Sequence, residues 1–333
     1  MLGVVDESVA PPDLCAGCDC GDPEPEHPAS VNGHAMPASL HIIEPPRAAP
    51  LGRKLEVVPE ELSATKGVGT GGSMQFDLLL DPFGARWTEV RDAAAAAVDA
   101  GFAGVWTYDH LDGRVYDAPF VLECWTVLSA LAVAAPGVVL GPLVLNVQNR
   151  HPGVLATMVA TLQEVSGGRL MLGLGAGAGP GTRYAREQQA VGRTVDPDRL
   201  RRAEVERCIR EMRRLWQHPG FLAPDPQPPF VIGVLGPKMA ELAGRVGDGF
   251  NTSATHPRLR ELVEIGREAH TRSGRDPEQF LVTVHTAFDE RWLAGDSPAR
   301  TRLATIGPDR LILDLSPPYD RRRIAEAGYL LRG

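Results

Sequence analysis

A closed eight-stranded parallel (β/α)8 barrel is the fold class that this sequence predicts. Three observations carry the prediction: eight short apolar runs, a stretch of helical period after each of them, and enough chain from Met74 onward for a barrel of about 250 residues. An open, doubly wound sheet is the alternative. Eight strand-then-helix units at spacings suited to parallel crossovers favour closure.

The first predicted strand, Gln75 to Leu80, precedes a helix over Trp87 to Ala100, and the second, Gly104 to Thr107, precedes one over Pro119 to Ala135. The third strand, Val138 to Leu145, leads to a helix over Pro152 to Val165, whose proline suits the first helical position. The fourth, Leu170 to Gly175, is followed after a long glycine-rich loop by an arginine-rich helix, Arg199 to Trp216. Phe230 to Leu235 with Pro237 to Val246, and Gly249 to Thr252 with Pro257 to Ser273, form the fifth and sixth units. Phe280 to Thr286 with a short helix near Ser297 to Ile306, and Arg310 to Leu315 with a last helix from Arg321, complete the set. In such a barrel the chemistry sits on loops that follow strands, so each motif is tested by whether it follows one.

Bulk properties exclude several functions. A hydrophobic fraction of 43% and a charged fraction of 23% are those of a soluble globular chain, and no run approaches the roughly 20 apolar residues that a bilayer requires. The net charge of −8 opposes nucleic-acid binding, and the arginines between Arg199 and Arg214 alternate with Glu204, Glu206 and Glu211 as on a solvated helix face. The N-terminus has no basic start and no apolar core for export, so a cytoplasmic location is expected. Cys124 and Cys208 fall inside helical patterns and do not suggest a disulfide framework.

Residues 1–73 are rich in proline and glycine and are expected to be a mostly disordered extension ahead of a barrel over residues 74–333. Within them, Cys15, Cys18 and Cys20 could offer thiolates to zinc with His27 or His34, but structural zinc sites use two separated ligand pairs. No metal is therefore expected, and a tail with reducible thiols is the plainer reading.

Four loops carry candidate chemistry. After the second strand, Asp109 and His110 stand side by side; a histidine there can exchange protons near neutral pH, and the carboxylate can hold a cofactor or orient a ring. A loop-capping pair is the competing reading. After the third strand, Asn146 is placed to point into the barrel mouth, while Gln148, Asn149, Arg150 and His151 read as connecting residues. The fourth strand runs into LGLGAGAGPG, where Gly175, Ala176 and Gly177 would let a planar ring or phosphate approach the backbone. That run lacks the helix and acidic residue of a dinucleotide-binding turn. After the fifth strand, Gly233, Leu235, Gly236, Pro237 and Lys238 combine free N–H groups, a helix start and a lysine, which suits a phosphate. Asn251 and Thr252 end the sixth strand as supporting polar groups.

Taken in order, GFAGVWTYDHL, ECWTVLSALAVAAPGVVLGPLVLNVQNRHP, MVATLQEVSGGRLMLGLGAGAG, RLRRAEVERCIREMRRLW and VLGPKMAELAGRVGDGFN resemble the luciferase-like flavin and deazaflavin oxidoreductases, and more closely the branch that uses coenzyme F420. The resemblance covers Met74 to about Ser316 and implies a luciferase-like barrel. It implies that Asp109 lies near the deazaflavin, that His110 is the catalytic group at the reacting face, and that a non-prolyl cis peptide at Leu143 to Val144 supports the ring. It also implies phosphate contacts at Gly236, Pro237 and Lys238, a homodimer, and hydride transfer with a small organic substrate. A modified peptide is a further substrate of interest, because some relatives reduce dehydroamino acids. One departure matters: the sugar-phosphate dehydrogenase branch carries a glutamate soon after these glycines, and Ala178 stands here instead. The expectation is therefore a reductase of an activated C=C, C=N or C=O bond. The alternatives are an FMN-dependent monooxygenase on the same barrel, or a catalytically silent barrel that acts as a binding or scaffold protein.

Overall fold

Alternation along each strand sorts side chains into two apolar environments, and that sorting is what rolls the sheet into a barrel. In a computed structural model that describes residues 74–332, the chain forms β1 (Gln75–Leu80), α1 (Trp87–Ala100), β2 (Gly104–Thr107), α2 (Cys124–Ala134), β3 (Val139–Pro142), β4 (Leu145–Asn146), α3 (Pro152–Ser166) and β5 (Leu172–Gly175). It continues through α4 (Ala185–Ala190), α5 (Asp198–Trp216), β6 (Phe230–Gly233), α6 (Pro237–Val246), β7 (Gly249–Ser253), α7 (Leu259–Arg272), β8 (Leu281–Ala287), α8 (Pro298–Ala304), β9 (Arg310–Leu315) and α9 (Arg321–Arg332). The zinc candidates Cys15, Cys18, Cys20, His27 and His34 lie outside the described residues.

All strand pairings are parallel, and the order is β3-β2-β1-β9-β8-β7-β6-β5-β4. The two ends meet. The N–H of Leu140 donates to the carbonyl of Arg169 at 2.9 Å, and the N–H of Met171 donates to the carbonyl of Leu140 at 2.8 Å. The predicted third strand is thus one barrel strand broken into β3 and β4. The break is a bulge at Leu143–Val144, whose peptide bond is cis.

Inward-facing residues fill the barrel in layers. Near its floor, Arg310 pairs with buried Asp77, and the Trp106 indole N–H donates to the same carboxylate at 2.8 Å. Above them Leu79, Trp106, Leu143, Met171, Val231, Leu281 and Ile312 pack as one interior cluster. Outward residues such as Leu78, Leu80, Phe230, Phe250, Leu311 and Leu313 join the helices in the larger core. Glycines make space where something else intrudes: a Cβ at Gly175 would come within 2.6 Å of the Val144 side chain, and one at Gly233 within 2.8 Å. The bulge side chain lies in the room those two glycines leave.

Helix bounds agree with the predicted ones to within two residues, with two exceptions. α2 begins at Cys124 and not at Pro119, because the Glu123 carboxylate caps it by accepting from the N–H groups of Trp125 and Thr126. The short helix α4 lies within what the sequence suggested was loop. Its polar sequence AREQQA gives no apolar stripe to signal it.

Candidate functional site

The strand ends of the barrel open into a cavity of about 1020 Å³. Its walls come from the loops that follow β2, β5 and β6, from the ends of β7 and β8, from the start of α5, and from the bulge between β3 and β4. Every residue singled out in those loops from sequence as a catalytic or cofactor contact lines it: His110 and Asp109, Leu143, Val144 and Asn146, Gly175, Ala176 and Gly177, and Gly233, Leu235, Gly236, Pro237 and Lys238. Asn251 and Thr252 line it as well.

His110 is held by a residue that sequence reasoning missed. Its Nδ1 lies 2.8 Å from Oε1 of Glu187, and the other carboxylate oxygen accepts from the N–H of Leu111 at 2.9 Å. Glu187 belongs to α4 and is buried at 2% exposure. It therefore reaches the site from the long loop after β5, in which Ala178 also lines the cavity. With Nδ1 engaged, Nε2 is the atom through which His110 can act. Around the imidazole stand Phe83, Tyr116 and Tyr184, with ring centroids at 5.2, 5.8 and 5.7 Å, the last nearly stacked. Arg183 lies over both tyrosine rings. Burial, with the neighbouring Tyr184 hydroxyl, pushes the Tyr116 phenol up to about 12, so that hydroxyl keeps its proton near neutral pH.

Asp109 faces the other way. Its carboxylate takes a two-pronged contact from Arg150, with both N–O distances 2.8 Å, and accepts from the Asn146 N–H at 2.8 Å. Arg150, which sequence reading assigned to a mere connection, also pairs with Glu123. Burial alone would lower the Arg150 pKa, but these carboxylates more than reverse that and raise it. The arginine thereby ties the loops after β2 and β4 to the start of α2. The Asn146 side chain is likewise occupied, accepting from the Gln148 N–H and lying near Asn149 and Gln188.

At the far end of the cavity the charge is positive. Lys238 opens α6 after Gly236, where a Cβ would meet nothing within 4 Å, and Arg201 and Arg202 approach from α5. Arg201 is pinned to the Gly177 carbonyl and to Asp198. Deeper in the barrel, Tyr108 donates from its hydroxyl to Asp314, whose carboxyl is pushed up to about 6 by burial. Among the described residues no cluster of three or more His, Cys, Asp and Glu could hold a metal ion. No described helix is long and apolar enough to cross a membrane.

Comparison with known proteins places this geometry. Residues 63–290, more than half of the chain, match the family model described as luciferase-like monooxygenase. A 5,10-methylenetetrahydromethanopterin reductase of Methanolobus tindarius is 30% identical over 217 residues, which cover 59% of each chain. An F420-dependent glucose-6-phosphate dehydrogenase of Nakamurella multipartita is 29% identical over 223 residues, 61% of this chain and 64% of the relative. The chain thus spans about three fifths of the length of these relatives. Among solved structures, an F420-dependent secondary alcohol dehydrogenase in complex with an F420-acetone adduct superposes with a TM-score of 0.66 at 20% identity. That match covers 79% of this chain and all of the other, and it supports the fold.

Proposed function

The chain belongs to the luciferase-like monooxygenase family, and from that premise we propose that it is an oxidoreductase that binds coenzyme F420 and reduces an activated C=C, C=N or C=O bond of a small organic substrate. One observation carries the reading. A single cavity gathers His110 paired with Glu187, the bulge at Leu143–Val144, and the Gly236–Lys238 turn.

The residues present fit the cofactor. The cavity, about 1020 Å³, suits a ligand of cofactor size. Gly236 and Lys238 at the start of α6 would hold its phosphate, through free N–H groups and an ammonium. Val144, backed by the space at Gly175 and Gly233, would support the flat ring. When bound, coenzyme F420 supplies the hydride chemistry. The protein's own part is orientation and proton supply: His110, as the imidazolium whose Nδ1–H donates to the Glu187 carboxylate, offers its second proton at Nε2, Glu187 fixes the ring, and Phe83, Tyr116 and Tyr184 flank it.

The names of the two sequence relatives, one a reductase and the other a dehydrogenase, support a hydride-transfer enzyme. A homodimer working in the cytoplasm completes the proposal. Val154 and Val165 are both more than half exposed and lie three helical turns apart on one face of α3, which supports a covered surface there. Size-exclusion chromatography with light scattering tests the dimer.

The function is tested by titrating purified full-length protein with oxidised F420 and, separately, with FMN. Tight binding of F420 alone is expected; tight binding of FMN alone would move the protein to the flavin monooxygenases. Binding of neither would leave a scaffold barrel. With an acceptor found by screening, His110→Ala is expected to lower turnover by about 10²- to 10⁴-fold with the F420 Kd unchanged. Unchanged turnover would remove the proton-donor role.

A further inference from the structure

His285 lies at the end of β8, lines the same cavity, and has no part in the proton chemistry assigned above. Its hydrogen bonds can be followed in one direction only. The Thr283 hydroxyl donates to the carbonyl of Phe250 at 3.1 Å, so its oxygen receives the Asn251 Nδ2–H group at 2.9 Å. That sets the amide, and the Asn251 Oδ1 which faces His285 Nδ1 at 2.7 Å is an acceptor. His285 must therefore carry its hydrogen on Nδ1. Among the described residues its Nε2 has no partner.

We propose that His285 presents the Nε2 lone pair to the cavity as a fixed acceptor, and that the atom it meets is an N–H or O–H of the bound cofactor. This rests on the F420 reading. The donors available on that cofactor include the imide N–H and the hydroxyl of its ring, the hydroxyls of its side chain and the amide N–H groups of its tail. Burial depresses the His285 pKa, which keeps the imidazole in the form that has a lone pair to offer. Of the other polar groups at this end, the Asn251 oxygen is taken by His285 and Asp109 by Arg150, while the buried Thr252 hydroxyl has no partner among the described residues and needs an acceptor as much as it offers one. A donor buried there without His285 would lose its hydrogen bond.

Two-bond ¹H–¹⁵N spectra of the full chain, recorded free and with saturating oxidised F420, test this. In the free protein His285 is expected to carry its proton on Nδ1, with Nε2 unprotonated. On adding F420 the Nε2 resonance is expected to move upfield, and His285→Phe, which keeps a ring of similar size, is expected to raise the F420 Kd roughly tenfold. Asn251→Asp gives Nδ1 an anionic partner and favours the imidazolium, so Nε2 becomes a donor; binding is expected to weaken at least as much as in the phenylalanine variant. A proton found on Nε2 in the free protein overturns the proposal. So does tight F420 binding that leaves Nε2 unmoved and is unchanged in His285→Phe. Failure of the unaltered protein to bind F420 sinks the functional reading instead, and the free-protein tautomer then still decides whether His285 is an acceptor.

Discussion

The Nδ1 atom of His110 and the Oε1 atom of Glu187 stand 2.8 Å apart although the residues are 77 positions apart in sequence. The carboxylate comes from a six-residue helix inside a loop. It fixes the ring through Nδ1 and leaves Nε2 as the nitrogen free to act. Glu187→Ala is expected to lower turnover about 10- to 100-fold, part of what a positioned proton donor contributes, with little change in the F420 Kd. Glu187→Asp should recover some of it. Equal turnover in Glu187→Ala and the parent would mean that His110 is oriented by its aromatic neighbours alone.

The Asp109–Arg150 pair is buried and two-pronged; loss of Arg150 leaves the Asp109 charge uncompensated, and loss of Asp109 leaves Arg150 with Glu123 alone. Asp109→Ala or Arg150→Met alone is expected to destabilise the fold by about 3–5 kcal/mol in urea denaturation, and the double variant by less than the sum. Strict additivity would show that the two side chains are energetically independent.

Asp314 is raised from 3.8 to about 6 by burial, with the Tyr108 hydroxyl opposing and the Asp81 charge adding to the shift. The folded chain therefore holds more protons than the unfolded chain between those values. The stability from this group is present below about pH 4 and is lost as pH rises through about 6. Asp314→Asn keeps an acceptor for Tyr108 and removes the titration. The stability difference between variant and parent is expected to move by about 3 kcal/mol in favour of the variant between roughly pH 4 and pH 7. Parallel stability curves across that range would place Asp314 in a solvated setting.

Gly233→Ala puts a methyl group 2.8 Å from the Val144 side chain. The bulge must shift or the barrel must open, at about 1–3 kcal/mol, and the F420 Kd is expected to rise with it. A variant that binds F420 as well as the parent would remove Val144 from the ring-supporting surface.

Much of the site was legible in the sequence for one reason: a barrel puts its functional groups directly after its strands. Once GVWT and LMLGLG read as strands, Asp109, His110, Gly175 and Gly177 fell at the mouth, and the structure puts them on one cavity. Arg150 was misread because an arginine in a connecting segment carries no local mark of its partner. Glu187 was invisible for a related reason. It lies in a polar stretch without period, and its importance comes wholly from where that stretch folds back.

The sequence by itself determined the barrel, the order of its elements and which loops form the mouth, since these follow from local periodicity and from the short range of turns and caps. The tertiary structure alone decided which side chains meet: His110 with Glu187, Tyr108 with Asp314 across 206 positions, and His285 with Asn251 on the next strand. Barrel closure brings together strands that are distant in the chain. The hydrogen bonds and burial that set tautomers and charges exist only after that closure, so no local pattern can encode them.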